Sequence, residues 1–165
     1  MKKLTMIAAL LLCFACMISA CSSVRDDVAV KDISTAVLGK VSTQGGFTAA
    51  DTDYVSLEFA QPGVIDSNVS EWIICASTSS QTVDEFGIFH VKQGGDVSAV
   101  KNEVQAYVQS MQVKLEVYLD MYDPAEKTKL ENAQVTVFGN YVVYTMLSDA
   151  DTTACTSAIS DALSE

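Results

Sequence analysis

The 165-residue chain has a single histidine, His90. Triad-type hydrolysis needs an imidazole base, so that chemistry has one residue to draw on. No G-x-S-x-G, H-E-x-x-H, phosphate-loop or C-x-x-C run occurs. Basic residues are scarce too. Ten Lys and Arg stand against 21 Asp and Glu, a formal net charge of −11. Such a surface repels nucleic acid and anionic headgroups within a Debye length of about 8 Å, so no nucleic-acid partner is expected. The acids do not form a calcium loop. The D-x-[DN]-x-[DN]-G pattern is missing, and the pairs Asp51/Asp53 and Asp149/Asp151 lack the rest of a ligand set. No metal and no cofactor is expected. No low-complexity stretch marks a second domain.

What is present begins at the N-terminus. Lys2 and Lys3 precede an uncharged, mostly apolar run from Leu4 to Ala20. That run is shorter than the roughly 20 residues of a spanning helix, and its order is that of a secretory signal. Ile18, Ser19 and Ala20 followed by Cys21 form a lipobox. The expectation is removal of residues 1–20 and a lipid-anchored Cys21 on the extracytoplasmic face of the cell membrane. Several acyl chains, at about 0.8 kcal/mol per buried methylene, make such an anchor lasting. Residues 21–27 read as the lipidated cysteine and a short polar tether, and 28–165 as a single domain. Loss of Lys2 and Lys3 takes the net charge from −11 to −13.

Cys13 and Cys16 leave with the signal, and Cys21 takes lipid. Cys75 and Cys155 remain. In an exported protein they are a candidate disulfide, closing a loop worth about 4 kcal/mol in the chain-entropy model. Two buried thiols acting as small apolar side chains are the equal alternative.

Along the mature chain, Val30, Ile33, Val37, Leu38 and Val41 recur at helical spacing up to Gly45-Gly46. The stretch from Asp51 to Ala60 suits either an irregular strand or, preferably, a short helix burying Tyr54 and Leu57, with Gln61-Pro62-Gly63 as its stop. Trp72 to Ser77 and Phe86 to Val91 read as a hairpin. With its turn near Gln81, His90 would face Trp72. Asp96 caps a long helix to Tyr122, about 40 Å at 1.5 Å per residue. Its stripe is Val97, Val100, Val104, Tyr107/Val108, Met111, Leu115, Tyr118 and Tyr122, with Glu103 among the residues off it. Asp123-Pro124-Ala125-Glu126 starts a second helix with a capping box. Gln134–Phe138 and Tyr141–Leu147 form a second hairpin about Gly139-Asn140. A last helix runs from about Ala150 to Leu163. The predicted fold class is α+β: a four-stranded antiparallel sheet from two hairpins, each followed by a helix, plus an N-terminal helix.

Nothing in this pattern assembles an active site, and a non-enzymatic role is expected. A Cys75–His90 nucleophile and base is disfavoured, because Trp72 and Cys75, three apart, face opposite sides of a strand. The strands carrying Trp72, Tyr141 and Tyr144 are apolar on both sides. Either helices cover both faces, or one face is an interaction surface for an envelope protein. A small-ligand pocket among these aromatics is the alternative, and an uncharacterised hydrolase a more distant one.

Glu85-Phe86-Gly87-Ile88, Tyr122-Asp123-Pro124, Leu130-Glu131-Asn132-Ala133 and Gly139-Asn140-Tyr141-Val142 together resemble a family of small bacterial lipoproteins. The family is defined only as a domain of unknown function, of the kind found in Gram-positive anaerobes. The likeness runs from about Val28 to Leu163. It implies export, lipidation and the α+β order, and it brings no activity, cofactor or catalytic residue.

Overall fold

The computed structural model of the chain describes residues 24–164. Among them are six helices and five strands: α1 (Val30–Leu38), β1 (Phe47–Ala49), α2 (Tyr54–Glu58), α3 (Pro62–Asn68), β2 (Val69–Ser77), β3 (Glu85–Val91), α4 (Val97–Tyr122), α5 (Pro124–Glu131), β4 (Gln134–Phe138), β5 (Tyr141–Met146) and α6 (Asp149–Ala162). The class is α+β, as the periodicity predicts. The sheet has five antiparallel strands rather than four, in the order β1-β2-β3-β5-β4. The extra one, β1, is three residues long and pairs Phe47–Ala49 with Ser77–Cys75. It is laid on the edge by the turn through Gly45 and Gly46, whose φ of 79° and 85° only glycine adopts easily.

Alternation along the three inner strands explains why neither side reads as wet. Ile74, Phe89, Val91, Val142, Tyr144 and Met146 point to one face and pack under Val100, Val104, Tyr107 and Val108 of α4. Cys75, Phe86, Ile88, Tyr141 and Val143 point to the other, against Val30, Ile33 and Val37 of α1 and Cys155, Ala158 and Ile159 of α6. Each large side chain so buried contributes about 1.5–3 kcal/mol. Gly87 lets this close. A Cβ there would lie 2.2 Å from Tyr144 Cε1, so only hydrogen admits the tyrosine ring across the strand.

Three local expectations change. Pro62 does not stop a helix but opens one, at the first helical position of α3 where its missing N–H costs nothing. The Gln61 N–H just ahead of it donates to Glu103 Oε1 at 2.7 Å, which is why Glu103 is buried rather than on a solvent side of α4. In α2 the buried residue is Val55, with Phe59 just beyond, and Leu57 is 72% exposed. The first hairpin is shifted by one residue, its turn centred between Ser80 and Gln81, so His90 faces Glu71 and Trp72 faces Phe89.

Asp96 and Asp123 cap as predicted, while the Glu126 carboxylate of the expected capping box is turned instead to the Val83 N–H and Lys129. Asp96 accepts from the Ala99 N–H and Asp123 from the Glu126 N–H. Ser148 accepts from the Asp151 N–H to start α6. The side chains of Tyr118 and Tyr122 lie outside the described residues.

Candidate functional site

Glu85 opens β3 with its carboxylate pointed under α4, and it is only 5% exposed. Tyr107 of α4 donates to its Oε1 at 2.7 Å, and Tyr144 of β5 donates to the same oxygen. Tyr54 lies 3.1 Å from Oε2 and 2.8 Å from the Tyr107 hydroxyl. Burial raises the Glu85 pKa above the ordinary glutamate range, and the three tyrosine hydrogen bonds reduce the rise without cancelling it. Proton counting agrees. Three phenol protons serve four contacts if Glu85 is ionised. A proton on Oε2 donated to Tyr54 leaves Tyr54 free to donate to Tyr107, and every contact then has one proton. Burial, with the Glu85 charge second, lifts all three tyrosines well above their usual range. The group is satisfied and closed off from solvent.

Beside it, Asp84 and Glu126 flank Lys129 at 2.7 Å each. Burial pulls the lysine pKa down, but hydrogen bonds from Asp84 and Glu126 outweigh it, so the charge is kept. The other Glu126 oxygen accepts from the Val83 N–H at 2.9 Å. This triad fastens the β2–β3 loop to α5.

At the opposite end of β3, His90 stacks on Tyr141 with ring centroids 4.4 Å apart. Its Nε2 lies 3.0 Å from Asp26 and its Nδ1 3.6 Å from Glu71. Asn140 donates to Asp26 at 2.9 Å. The Tyr141 hydroxyl donates to Val28 O at 2.8 Å and accepts from Val28 N–H at 3.1 Å. Residues 25–27, expected as the end of a short polar tether, are therefore docked on the domain together with Val28. The Arg25 N–H also bonds to Leu163 O at 2.9 Å.

Among the described residues, one open groove of about 570 Å³ lies between α6 and β4, and another of about 390 Å³ lies between α4 and α5, lined by Gln112, Val113, Glu116, Lys127, Leu130 and Glu131. Both ends of the strand, Gln134 and Phe138, and both ends of the helix, Asp149 and Asp161, line the first, so the two elements run side by side along its length. Thr152, Thr153, Thr156, Ser157 and Ser160 form the helix wall. They fall on one stripe by their three- and four-residue spacing. Thr153 and Thr156 donate their protons to the carbonyls of Asp149 and Thr152, four residues back. What these hydroxyls offer the groove is therefore acceptor lone pairs.

A family model described as "Domain of unknown function (DUF4358)" matches residues 63–147. The chain belongs to this family. No curated protein and no solved structure matches it. The DUF4358 stretch is shorter than the span from Val28 to Leu163 over which the motifs suggested a likeness. It takes in Glu85, Tyr107, Tyr144, the Asp84–Lys129 pair and the β4 wall of the groove, and stops before α6.

In this DUF4358 chain the residues singled out by sequence are dispersed. Tyr141 and Tyr144 are fully buried on opposite faces, and Trp72 is half-buried, so they form no open surface. Helices cover both faces, the other alternative for strands apolar on both sides. Cys75 and Cys155 are free thiols in one core, pushed up to about 11 and about 12 by burial, Cys75 with a further contribution from Glu85. After the one-residue shift His90 shares a face with Cys75, contrary to expectation. Four residues of strand, about 13 Å, still separate their positions. The lipobox residues Ile18, Ser19 and Ala20 and the acceptor Cys21 lie outside the described residues. No described helix is long and apolar enough to cross a membrane.

Two features of the fold have little local sequence signal. Glu85 left one sign, a lone carboxylate heading an otherwise apolar strand, but its tyrosines come from three distant segments. The hydroxyl stripe of α6 was legible as spacing.

Proposed function

We propose that this protein is a lipid-anchored extracytoplasmic lipoprotein acting as a non-enzymatic interaction module, with its partner in the cell envelope. The docked segment from Arg25 to Val28 carries the reading. With those residues held on the domain, only Ser22 and Ser23 separate the lipobox cysteine from Val24, three steps of chain or about 10 Å at full extension. A domain so closely held presents a fixed side to whatever lies at the membrane surface. The arrangement of its polar groups supports binding over catalysis. The Glu85 carboxyl is sealed, both carboxylates of the Asp84–Lys129–Glu126 triad are spent on one lysine, and the groove beside α6 offers acceptors without a nucleophile–base pair.

The test is mass spectrometry of the protein purified from its host, with cross-linking in intact cells. A diacylglyceryl-modified Cys21 at the new N-terminus is the expected result. An unmodified residue 21, or a retained leader, removes the anchor and the location.

A further inference from the structure

We infer that the groove between α6 and β4 takes an extended, basic segment of a partner protein, which pairs with β4 as a sixth strand. The inference names the binding surface of the module proposed above and rests on that reading for its biological setting alone.

The first support is the edge itself. Natural sheet edges are blunted by brevity, lysine, proline or a bulge. At three residues, β1 meets that rule. The sequence of β4, Gln134-Val135-Thr136-Val137-Phe138, has no lysine or proline, and its pairing with β5 has no register break. Three of its five residues are β-branched, so it holds the extended conformation readily. Among the described residues, no backbone hydrogen bond reaches Gln134–Phe138 from any element but β5. Alternate amide and carbonyl groups therefore stand unpaired along about 17 Å of edge.

The second support is the chemistry of the walls. On the α6 side, Thr153 and Thr156 present lone pairs, and Asp149 and Asp161 bring negative charge to the two ends. Asp161 stands in the last turn of α6, where the helix dipole disfavours an anion. Local stability does not account for a carboxylate at that place. On the other side of β4, Val137 is 38% exposed. A guest strand would thus turn one set of side chains to acceptors and carboxylates and the alternate set to an apolar flank. That selects a segment alternating basic and apolar residues. A second copy of this chain, at net charge −11, is a poor guest for the same acidic walls.

The experiment uses the isotope-labelled full chain in detergent micelles and a capped heptapeptide alternating lysine and valine. Amide shifts are expected at Gln134–Phe138 and along Thr152–Asp161. Affinity should fall at least tenfold for a glutamate–valine peptide, and at least tenfold in Asp161→Lys, whose thermal unfolding should match the parent. N-methylation of the valine amides, which removes backbone donors, should abolish binding. Equal affinity for the lysine and glutamate peptides would overturn the inference, as would the absence of shifts in β4. Perturbation of the same amides by an N-acetylglucosamine tetramer but not by the peptide would make the groove a saccharide site. Concentration-dependent dimerisation through β4 would make a second copy the occupant. None of these outcomes alters the mass of residue 21, so failure here is distinguishable from failure of the anchor.

Discussion

The two faces of the sheet are built on different terms. Under α4 the core is aromatic and polar at once: Phe59 lies parallel to Tyr107 at 4.4 Å, and Tyr107 and Tyr144 converge on Glu85. Under α1 and α6 it is mainly aliphatic, with two thiols, Phe86 and Tyr141. The first face is specified by hydrogen bonds that fix each ring. The second is specified mainly by volume, and its helices leave the edge of β4 uncovered. The directional bonds around Glu85 leave no room there for a ligand, whereas the packing of α6 on the other face leaves a groove beside β4. The difference teaches that the conspicuous polar cluster of this protein belongs to its architecture and that the open chemistry lies on the plainer side.

The largest way to break the locked face is Gly87→Ala. The added methyl would sit 2.2 Å from the Tyr144 ring, and overpacking of this kind costs about 3 kcal/mol. Gly63→Ala is the matching control. It meets nothing within 4 Å on a helix, so it should stabilise by about 0.5–1 kcal/mol. Denaturant titration of both variants checks the contrast in sign.

Glu85→Gln is a smaller and more informative break. The folded pKa of Glu85 is raised, so its proton is held more tightly in the folded state than in the unfolded one. The resulting stabilisation is complete below the unfolded value, about 4.3, and is lost as pH rises through the folded value. The advantage of the parent over Glu85→Gln should therefore be greatest in acid, about 2 kcal/mol, and shrink with rising pH. Stability measured by denaturant across that window decides it. An advantage that grows with pH would mean an ionised carboxylate among the tyrosines.

How much of this was legible follows from where each signal lives. The hairpins and the long helix were readable because Asp96, Asp123 and the Gly139-Asn140 turn act within a few residues of themselves. The short strand β1 was not, since three residues carry no period and its pairing is set by β2, some 28 positions on. The Pro62-Gly63 step was read as a stop because proline's meaning depends on whether a helix lies before or after it. The tyrosine–glutamate cluster is assembled from positions 54, 85, 107 and 144, and no local pattern links them. The polar run from Ser79 to Asp84 does not mark its own centre, and one residue of slip suffices to exchange the faces of a strand.

On the plainer face, Cys155→Ser sharpens the comparison. A hydroxyl in an aliphatic core without a partner costs about 1–2 kcal/mol, where a thiol costs little. Both thiols should stay silent to an alkylating agent in the folded protein, with burial holding Cys75 and Cys155 up to about 11 and about 12, and both should react in denaturant. Reaction of neither in denaturant would establish a disulfide between β2 and α6.

The smallest expected effect is at the rim, where the plainer face has its polar contacts. Asp26→Ala removes an exposed carboxylate from His90 and Asn140. Exposed pairs contribute about 0.5 kcal/mol, so global stability should hardly move. The segment it fastens should respond instead, with faster amide exchange at Asp27 and Val28, because local opening there needs far less free energy than unfolding. Tyr141→Phe removes the hydroxyl that both donates to and accepts from Val28, and should free the same segment further. If exchange quickens in Tyr141→Phe but not in Asp26→Ala, the domain grips its own N-terminal segment through one buried hydroxyl. The acidic rim then contributes only charge at the end where the chain enters the fold.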